Sequence, residues 1–467
     1  TLTNDADDEL LTQGSREEAI SVLANMLAND ESPALLGLQR AAAEAGVTFL
    51  WDDDFVSFGL GRHSQTFTVD DLPADVDWTH YSDVPVALVT GTNGKTTTVR
   101  LASRILRAAG LNVGLSSTDW IGVNDRIIDR GDYSGPGGAR TVLRDKDVDA
   151  AILETARGGL LRRGLAVDYA NAALITNIAE DHLGDFGSQN LEELLALKWL
   201  VTRVLGEGST AVLNASDQLL VAKAEELTAP IIWFSVDKYN PILLGHIASG
   251  GTAFTVSDGK LGYFERNEWH ALVPVADVPI TMQGAAAHNI ANALAAAGLC
   301  FALGADARAI VSGLISMQPN DNPGRCNVFH RDGVDILLDF AHNPDAMRAL
   351  FDIAQAYPAK RRALCFGQAG DRTDAQIAEL ARRAWEIGLE RVVISELADY
   401  RRGRAPGEVY GLLRQTLIDE GADPSQIGYF ETEAASLEDA LRWAEPGDLV
   451  IMLALGSATA LIEWLST

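Results

Sequence analysis

Val86-Ala87-Leu88-Val89-Thr90 runs directly into Gly91-Thr92-Asn93-Gly94-Lys95-Thr96-Thr97, and a helix-forming stretch continues to about Ala109. An apolar strand, a glycine-rich turn and a helix in that order predict a phosphate-binding loop. Glycines let backbone N–H groups crowd around phosphate oxygens, and the helix N-terminus adds positive potential. Lys95 is then expected to reach the β- and γ-phosphates, and Thr96 to offer its hydroxyl to magnesium. The spacing departs from the usual pattern, whose first glycine would fall at Val89. A turn that is merely glycine-rich is the bland alternative; the strand–turn–helix context and the Gly-Lys-Thr-Thr ending favour the phosphate loop.

Working outward, the alternation continues. Ala150–Leu153 and Ala172–Thr176 read as buried strands with helical stretches between and after them. That pattern predicts a mostly parallel sheet covered on both faces. From Pro230 to Ile280 the texture becomes β-prone, at Ile231–Phe234 and Thr252–Val256, and suggests an antiparallel addition. An alanine-rich helix is expected over His288–Leu303. Pro319, Asn320, Asn322, Pro323 and Gly324 mark a linker. Beyond it Ile336–Leu338, Ala363–Phe366, Arg391–Ile394 and Leu449–Leu453 alternate with helices, as in a second doubly wound sheet. Upstream, Ser15–Ala45 reads as helical, with Ile20, Leu23, Met26, Leu27, Leu35, Leu36 and Leu38 at helical spacing. Phe49–Trp51 and Phe55–Leu60 read as short strands. The expected fold class is α/β. A small N-terminal α+β leader spans residues 1–80, a P-loop central domain 81–318, and a C-terminal Rossmann-like domain 319–467.

Composition bounds the function. Of 467 residues, 47% are hydrophobic and 22% charged, as in an ordinary globular protein. No run of 18 apolar residues suggests a transmembrane helix, and the acidic start at Thr1–Leu11 lacks the marks of a signal peptide. A cytoplasmic enzyme is the expectation. The formal charge of −28 argues against a nucleic-acid partner, while leaving room for an anionic substrate if basic residues gather in a cleft. Cys300, Cys326 and Cys365 form no paired motif and read as buried free thiols.

Three further features bear on chemistry. Glu154 ends the Ala150–Leu153 strand, where ligands of open α/β sheets bind, and could hold a metal; alone it reads equally as a solvated charge. His182, in Thr176-Asn177-Ile178-Ala179-Glu180-Asp181-His182-Leu183, makes a plausible partner for it. Lys198 lies among Leu194, Leu195, Leu197 and Trp199, and by physics alone reads as a snorkelling surface lysine.

Together these motifs resemble the Mur ligase superfamily, in particular the Mur-like C-terminal module of the cyanophycin synthetases. The matching stretches are Gly91–Thr97, Leu153–Leu161, Asn177–Gly187, Asn322–Asn327, Asp339–Pro344, Gly367–Asp374 and Arg402–Glu408. The resemblance implies an ATP-dependent ligase that activates a carboxylate as an acyl phosphate and couples it to an amine, releasing ADP and phosphate. It implies that Gly91, Thr92, Asn93, Gly94, Lys95, Thr96 and Thr97 bind the triphosphate. Thr96, Glu154 and His182 would hold two magnesium ions, and Lys198 would face them as a carbamate. Asn289 would touch the nucleotide, Arg325 the phosphates and Asp339 the ribose. His342 and Asn343 would line the closed cleft; Asp371, Arg372, Arg402 and Arg404 would lie near the incoming amine. Two departures stand out. The 80 or so leading residues leave no room for the ATP-grasp module that cyanophycin synthetases carry ahead of this part, so a single-step ligase or one half of a split system is expected; separately, a homodimer or a split-system partner is the assembly to look for. Asn214-Ala215-Ser216-Asp217 also lacks the paired acids of the family. A folylpolyglutamate-synthase-like ligase and a non-catalytic partner subunit are the alternatives; Arg402–Glu408 and the intact Lys95, Thr96, Glu154 and His182 argue against them.

Overall fold

Pro33 opens the first fully described helix, Pro33–Glu44. The side chain of Ser32 caps it, accepting from Leu35 N at 3.4 Å. The computed structural model describes residues 20–21, 32–180 and 190–466. The single helix expected over Ser15–Ala45 does not run through this point. Proline has no N–H to give and forces the residue before it out of the helical region; Ser32 is accordingly extended. Strands β1 (Phe49–Trp51), β2 (Phe55–Phe58) and β3 (Gln65–Thr68) follow as an antiparallel meander. Its inner face packs Val56 and Phe58 with Leu35 and Val47.

The main sheet has eleven strands: β4 (Val86–Thr90), β5 (Val113–Ser116), β6 (Trp120–Val123), β7 (Arg126–Arg130), β8 (Ala150–Glu154), β9 (Ala170–Ile175), β10 (Leu205–Asn214), β11 (Ile231–Phe234), β12 (Ala253–Ser257), β13 (Lys260–Glu265) and β14 (Glu268–Pro274). Their order is β14-β13-β12-β11-β10-β9-β4-β8-β5-β6-β7. From β12 to β5 every pairing is parallel. β4 and β8 are buried at every residue, which is why both read as unbroken apolar runs.

The antiparallel addition expected from Ile231 begins later. β11 and β12 are joined by a helix, Pro241–Ala248, and such a crossover returns the chain parallel. Direction reverses only at Asp258-Gly259, both at positive φ, a two-residue hairpin turn between β12 and β13. A second antiparallel ribbon, β5-β6-β7, closes the opposite edge.

A separate six-stranded sheet follows: β15 (Asn327–Arg331), β16 (Val334–Asp339), β17 (Arg362–Phe366), β18 (Arg391–Ser395), β19 (Ile427–Phe430) and β20 (Leu449–Leu453), in the order β15-β16-β20-β17-β18-β19. Only the β15–β16 hairpin is antiparallel. Its faces carry two apolar clusters, one around Leu337, Leu364 and Ile451, the other around Ile336, Ala363 and Val450. Cys300, Cys326 and Cys365 are buried and unbridged. Among the described residues no helix is long and apolar enough to cross a membrane.

Candidate active site

In a parallel sheet all carboxyl ends lie on one edge, and there ligands gather. Here two such edges meet. The residues following β4, β8, β9 and β10 face those following β16, β17, β18 and β20 across a cavity of about 830 Å³.

The glycine-rich loop Gly91–Thr97 borders the cavity on the main-sheet side. Gly91 (φ +144°) and Gly94 (φ +83°) hold backbone that other residues rarely adopt. A Cβ on Gly91 would lie 1.9 Å from Thr176 Oγ1, and one on Gly94 would lie 2.2 Å from Asn292 Oδ1. The loop after β9 braces the turn: Asn93 N donates to Asn177 Oδ1 at 2.9 Å, and Thr176 Oγ1 donates to Asn93 O at 2.6 Å. Lys95 Nζ folds back to Thr92 O at 2.9 Å.

Glu154, at the end of β8, is only 1% exposed, so the reading as a solvated charge falls. Thr96 Oγ1 donates to its Oε2 at 2.9 Å, and Thr118 donates its hydroxyl to Oε1 at 2.7 Å and its N–H to Oε2 at 3.2 Å. Thr118 went unread in the sequence. Its only signal was a polar run, Ser116–Asp119, at the carboxyl end of a strand too short to recognise. Lys198 is no surface lysine: it is 4% exposed, and its Nζ donates to Gly91 O at 2.7 Å, directly under the loop. His182 lies outside the described residues.

Asn214 and Asp217, which replace the expected acid pair, brace the loop after β9. Asn214 Nδ2 donates to Thr176 O at 3.0 Å, and Asp217 Oδ2 accepts from Ile178 N at 2.6 Å. Burial raises the Asp217 carboxyl above its ordinary range despite these bonds.

The opposite wall comes from the six-stranded sheet. Asp339 closes β16 and is held in place by the N–H groups of Cys326 and Ala341, each at 2.7 Å. The guanidinium of Arg325 stacks 4.8 Å above the Phe340 ring. His288 borders this wall, its Nε2 3.6 Å from Cys326 Sγ. Burial holds its imidazole below the ordinary histidine range, against the raising influence of Asp339 and Asp345. Asn289 lines the cavity, donating to Ile280 O at 2.9 Å and accepting from Asn292 at 3.1 Å. His342 also lines it, with Nδ1 3.0 Å from Phe340 O. Asn343 bridges the walls, its Nδ2 donating to Asn93 Oδ1 at 2.9 Å. Asp371, Arg372 and Arg402 form part of the lining.

Arg404 has a different place from the one expected. It is not part of the lining; its guanidinium donates to Gly370 O and Arg372 O and pairs with Asp374 and Glu408. It supports the loop that carries Asp371 and Arg372. Electrostatically the cavity opposes the rest of the molecule. In a chain of net charge −28, seven of the described basic residues line the cavity, Lys95, Arg157, Arg162, Lys198, Arg325, Arg372 and Arg402, against five acidic ones, Asp132, Glu154, Asp339, Asp345 and Asp371. Such a cleft focuses anions.

Residues 89–300 match the Mur ligase middle domain, and residues 324–456 match the Mur ligase glutamate ligase domain. The chain belongs to the Mur ligase family. Cyanophycin synthetase of Geminocystis herdmanii is 36% identical over 399 residues, covering 85% of this chain and 45% of that protein. The Synechocystis cyanophycin synthetase is 36% identical over 374 residues, covering 79% and 42%. This Mur ligase family chain thus spans less than half the length of those two relatives. The UDP-N-acetylmuramoyl-L-alanyl-D-glutamate–2,6-diaminopimelate ligase of Geobacter metallireducens is 26% identical over 396 residues, covering 80% and 74%. Among solved structures, a bifunctional folylpolyglutamate synthase/dihydrofolate synthase with Mn, AMPPNP and L-glutamate bound superposes with a TM-score of 0.60 at 23% identity, covering 82% of this chain and 90% of that one. MurF from Acinetobacter baumannii gives 0.58 at 19%, covering 82% and 77%. These likenesses establish the shared fold.

Proposed function

We propose that this chain is an ATP-dependent carboxylate–amine ligase working through an acyl phosphate. The observation that carries the reading is the cleft itself: a phosphate loop with a buried, hydroxyl-held carboxylate on one sheet edge, facing Arg325 and Asp339 on the other. The cyanophycin synthetase relatives favour amino-acid-based acid and amine substrates. In this reading residues 1–80, 81–318 and 319–467 act as three units, with the nucleotide between the second and third.

The donors around Glu154 suit magnesium, because carboxylate and hydroxyl oxygens are the hard ligands it takes. When bound, magnesium supplies charge neutralisation on the phosphates. Lys95 and the loop N–H groups hold the β- and γ-phosphates from below, and Arg325 meets them from the facing wall. Asp339 is positioned for ribose hydroxyls and Asn289 for the nucleotide. A substrate carboxylate oxygen attacks the γ-phosphorus; the bond to the bridging oxygen breaks and ADP leaves. The amine nitrogen then attacks the acyl carbon, phosphate departs with the bonding electrons, and the amine loses a proton. Because an acyl phosphate also reacts with water, closure of the two walls protects it; the Asn93–Asn343 hydrogen bond supports such closure.

The test is release of ADP and phosphate against a panel of amino acids and short acidic peptides offered as acid and amine. Ligation is expected to require both substrates and to vanish in Lys95→Ala. Near-normal ATP-dependent ligation by that variant would sink the assignment of the loop.

A further inference from the structure

Arg100 lies in the helix that begins at Lys95, behind the cavity lining, and its side chain is 3% exposed. A guanidinium buried this far is costly unless its donors are answered. Nη1 donates to Asn322 Oδ1 at 2.8 Å, Nη2 pairs with Asp119, and the guanidinium stacks 4.0 Å from the Trp120 ring centroid. Nε has no hydrogen-bond partner. Burial brings its pKa down to about 10, against the pull of Asp119, so the group stays charged at neutral pH.

The two partners lie at the two halves of the cleft. Asp119 directly follows Thr118, which donates both its hydroxyl and its N–H to Glu154. Asn322 is fully buried, and its Nδ2 donates to Thr97 Oγ1 at 3.1 Å, next to Thr96, another partner of Glu154. Asn322 also begins the turn that presents Arg325: its carbonyl accepts from Arg325 N at 3.2 Å and from Asn327 Nδ2 at 3.3 Å. One guanidinium therefore ties the segment holding Glu154 to the segment carrying Arg325, 222 residues away in the case of Asn322.

We propose that Arg100 is a positioning residue that sets the register between the Glu154 side of the cleft and the Arg325 turn, so that both meet the same triphosphate. A staple of stability alone would need only bulk and one bond. This site uses the fork of arginine, two N–H groups held at fixed angles to two separate segments, which lysine cannot reproduce. The proposal rests on the reading of the cleft as a nucleotide site.

Arg100→Lys keeps the charge and loses the fork; Asn322→Ala cuts the same link from the other end. Three readouts are compared with the unaltered chain: melting temperature, kcat and KM for ATP in ligation, and the magnesium concentration that half-saturates AMPPNP binding. Either variant is expected to lower kcat roughly tenfold to a hundredfold with little change in KM for ATP, and to raise the magnesium midpoint. The double variant is expected to lose less than the two singles combined, because both cut the Arg100–Asn322 link, while each also disturbs a bond of its own, to Asp119 or to Thr97. Wild-type kcat and magnesium midpoint in both variants, whatever their melting temperatures, would overturn the proposal and leave Arg100 as a structural staple. If the unaltered chain releases no ADP with any acid and amine, the ligase reading fails by itself; the magnesium–AMPPNP titration still decides the role of Arg100.

Discussion

Gly94→Ala should cripple nucleotide binding through one atom. At φ +83° the new side chain meets the left-handed penalty of about 1–2 kcal/mol. Its Cβ would also lie 2.2 Å from Asn292 Oδ1. Asn292 is buried, and its Nδ2 donates to Asn289 Oδ1 at 3.1 Å, so it cannot turn aside without losing that bond. Losing the bond costs about 0.5–1.5 kcal/mol, and holding an off-rotamer side chain a similar amount. The sum is roughly 2–5 kcal/mol, which weakens binding about thirtyfold or more if it falls on the bound loop. Equilibrium binding of AMPPNP with magnesium, alongside denaturant unfolding, measures both parts. Asn292→Ala supplies the second leg of a cycle: in the Gly94→Ala/Asn292→Ala chain the clash is gone while the backbone cost and the lost bond to Asn289 remain, so about a quarter of the loss should return. Near wild-type affinity in Gly94→Ala, or a double variant no better than the single, would show that the loop does not depend on this close approach.

Thr118→Val keeps shape and removes the hydroxyl that donates to Glu154 at 2.7 Å; the magnesium requirement for AMPPNP binding should rise several-fold, and an unchanged titration would remove Thr118 from the site. His288 is held below its ordinary pKa by burial, so the unfolded chain takes up a proton first as pH falls. The stability it contributes is present above the unfolded value near 6.5 and declines as pH drops below it. His288→Gln should therefore flatten the loss of melting temperature between pH 8 and 5.5, and an equal loss in both chains would refute this. For Lys198, buried and 2.7 Å from Gly91 O, we propose a carbamate facing the magnesium site. Lys198→Ala should lose ligation and recover part of it with added short carboxylic acids, whereas an active alanine variant together with a bare amine in electron density would end the idea.

The sequence disclosed most where the chemistry is local. The loop Gly91–Thr97 combines a buried strand, two glycines and a helix start within a dozen residues, and Glu154 follows a strand buried at every position. Strands with mixed surroundings stayed hidden. β10 carries Gly206 and Gly208 in a polar first half, and β7, Arg126–Arg130, is exposed along its length at the sheet edge, so neither shows a period. β11 was visible as a strand but not in its direction, because periodicity is blind to what pairs alongside; the crossover helix Pro241–Ala248 settles that.

The same limit explains the site. Thr118 and Arg100 carry no signature as residue types, and Asn322 was legible only as part of a linker and a matching stretch; each acts through a partner distant in sequence. Arg404 shows the converse: its motif was legible, but its partners Asp374 and Glu408 make it a support for the lining loop. A motif names the residues that can touch a ligand. The residues that hold those in register belong to the contact between two sheet edges, and they become visible only when the edges are set face to face.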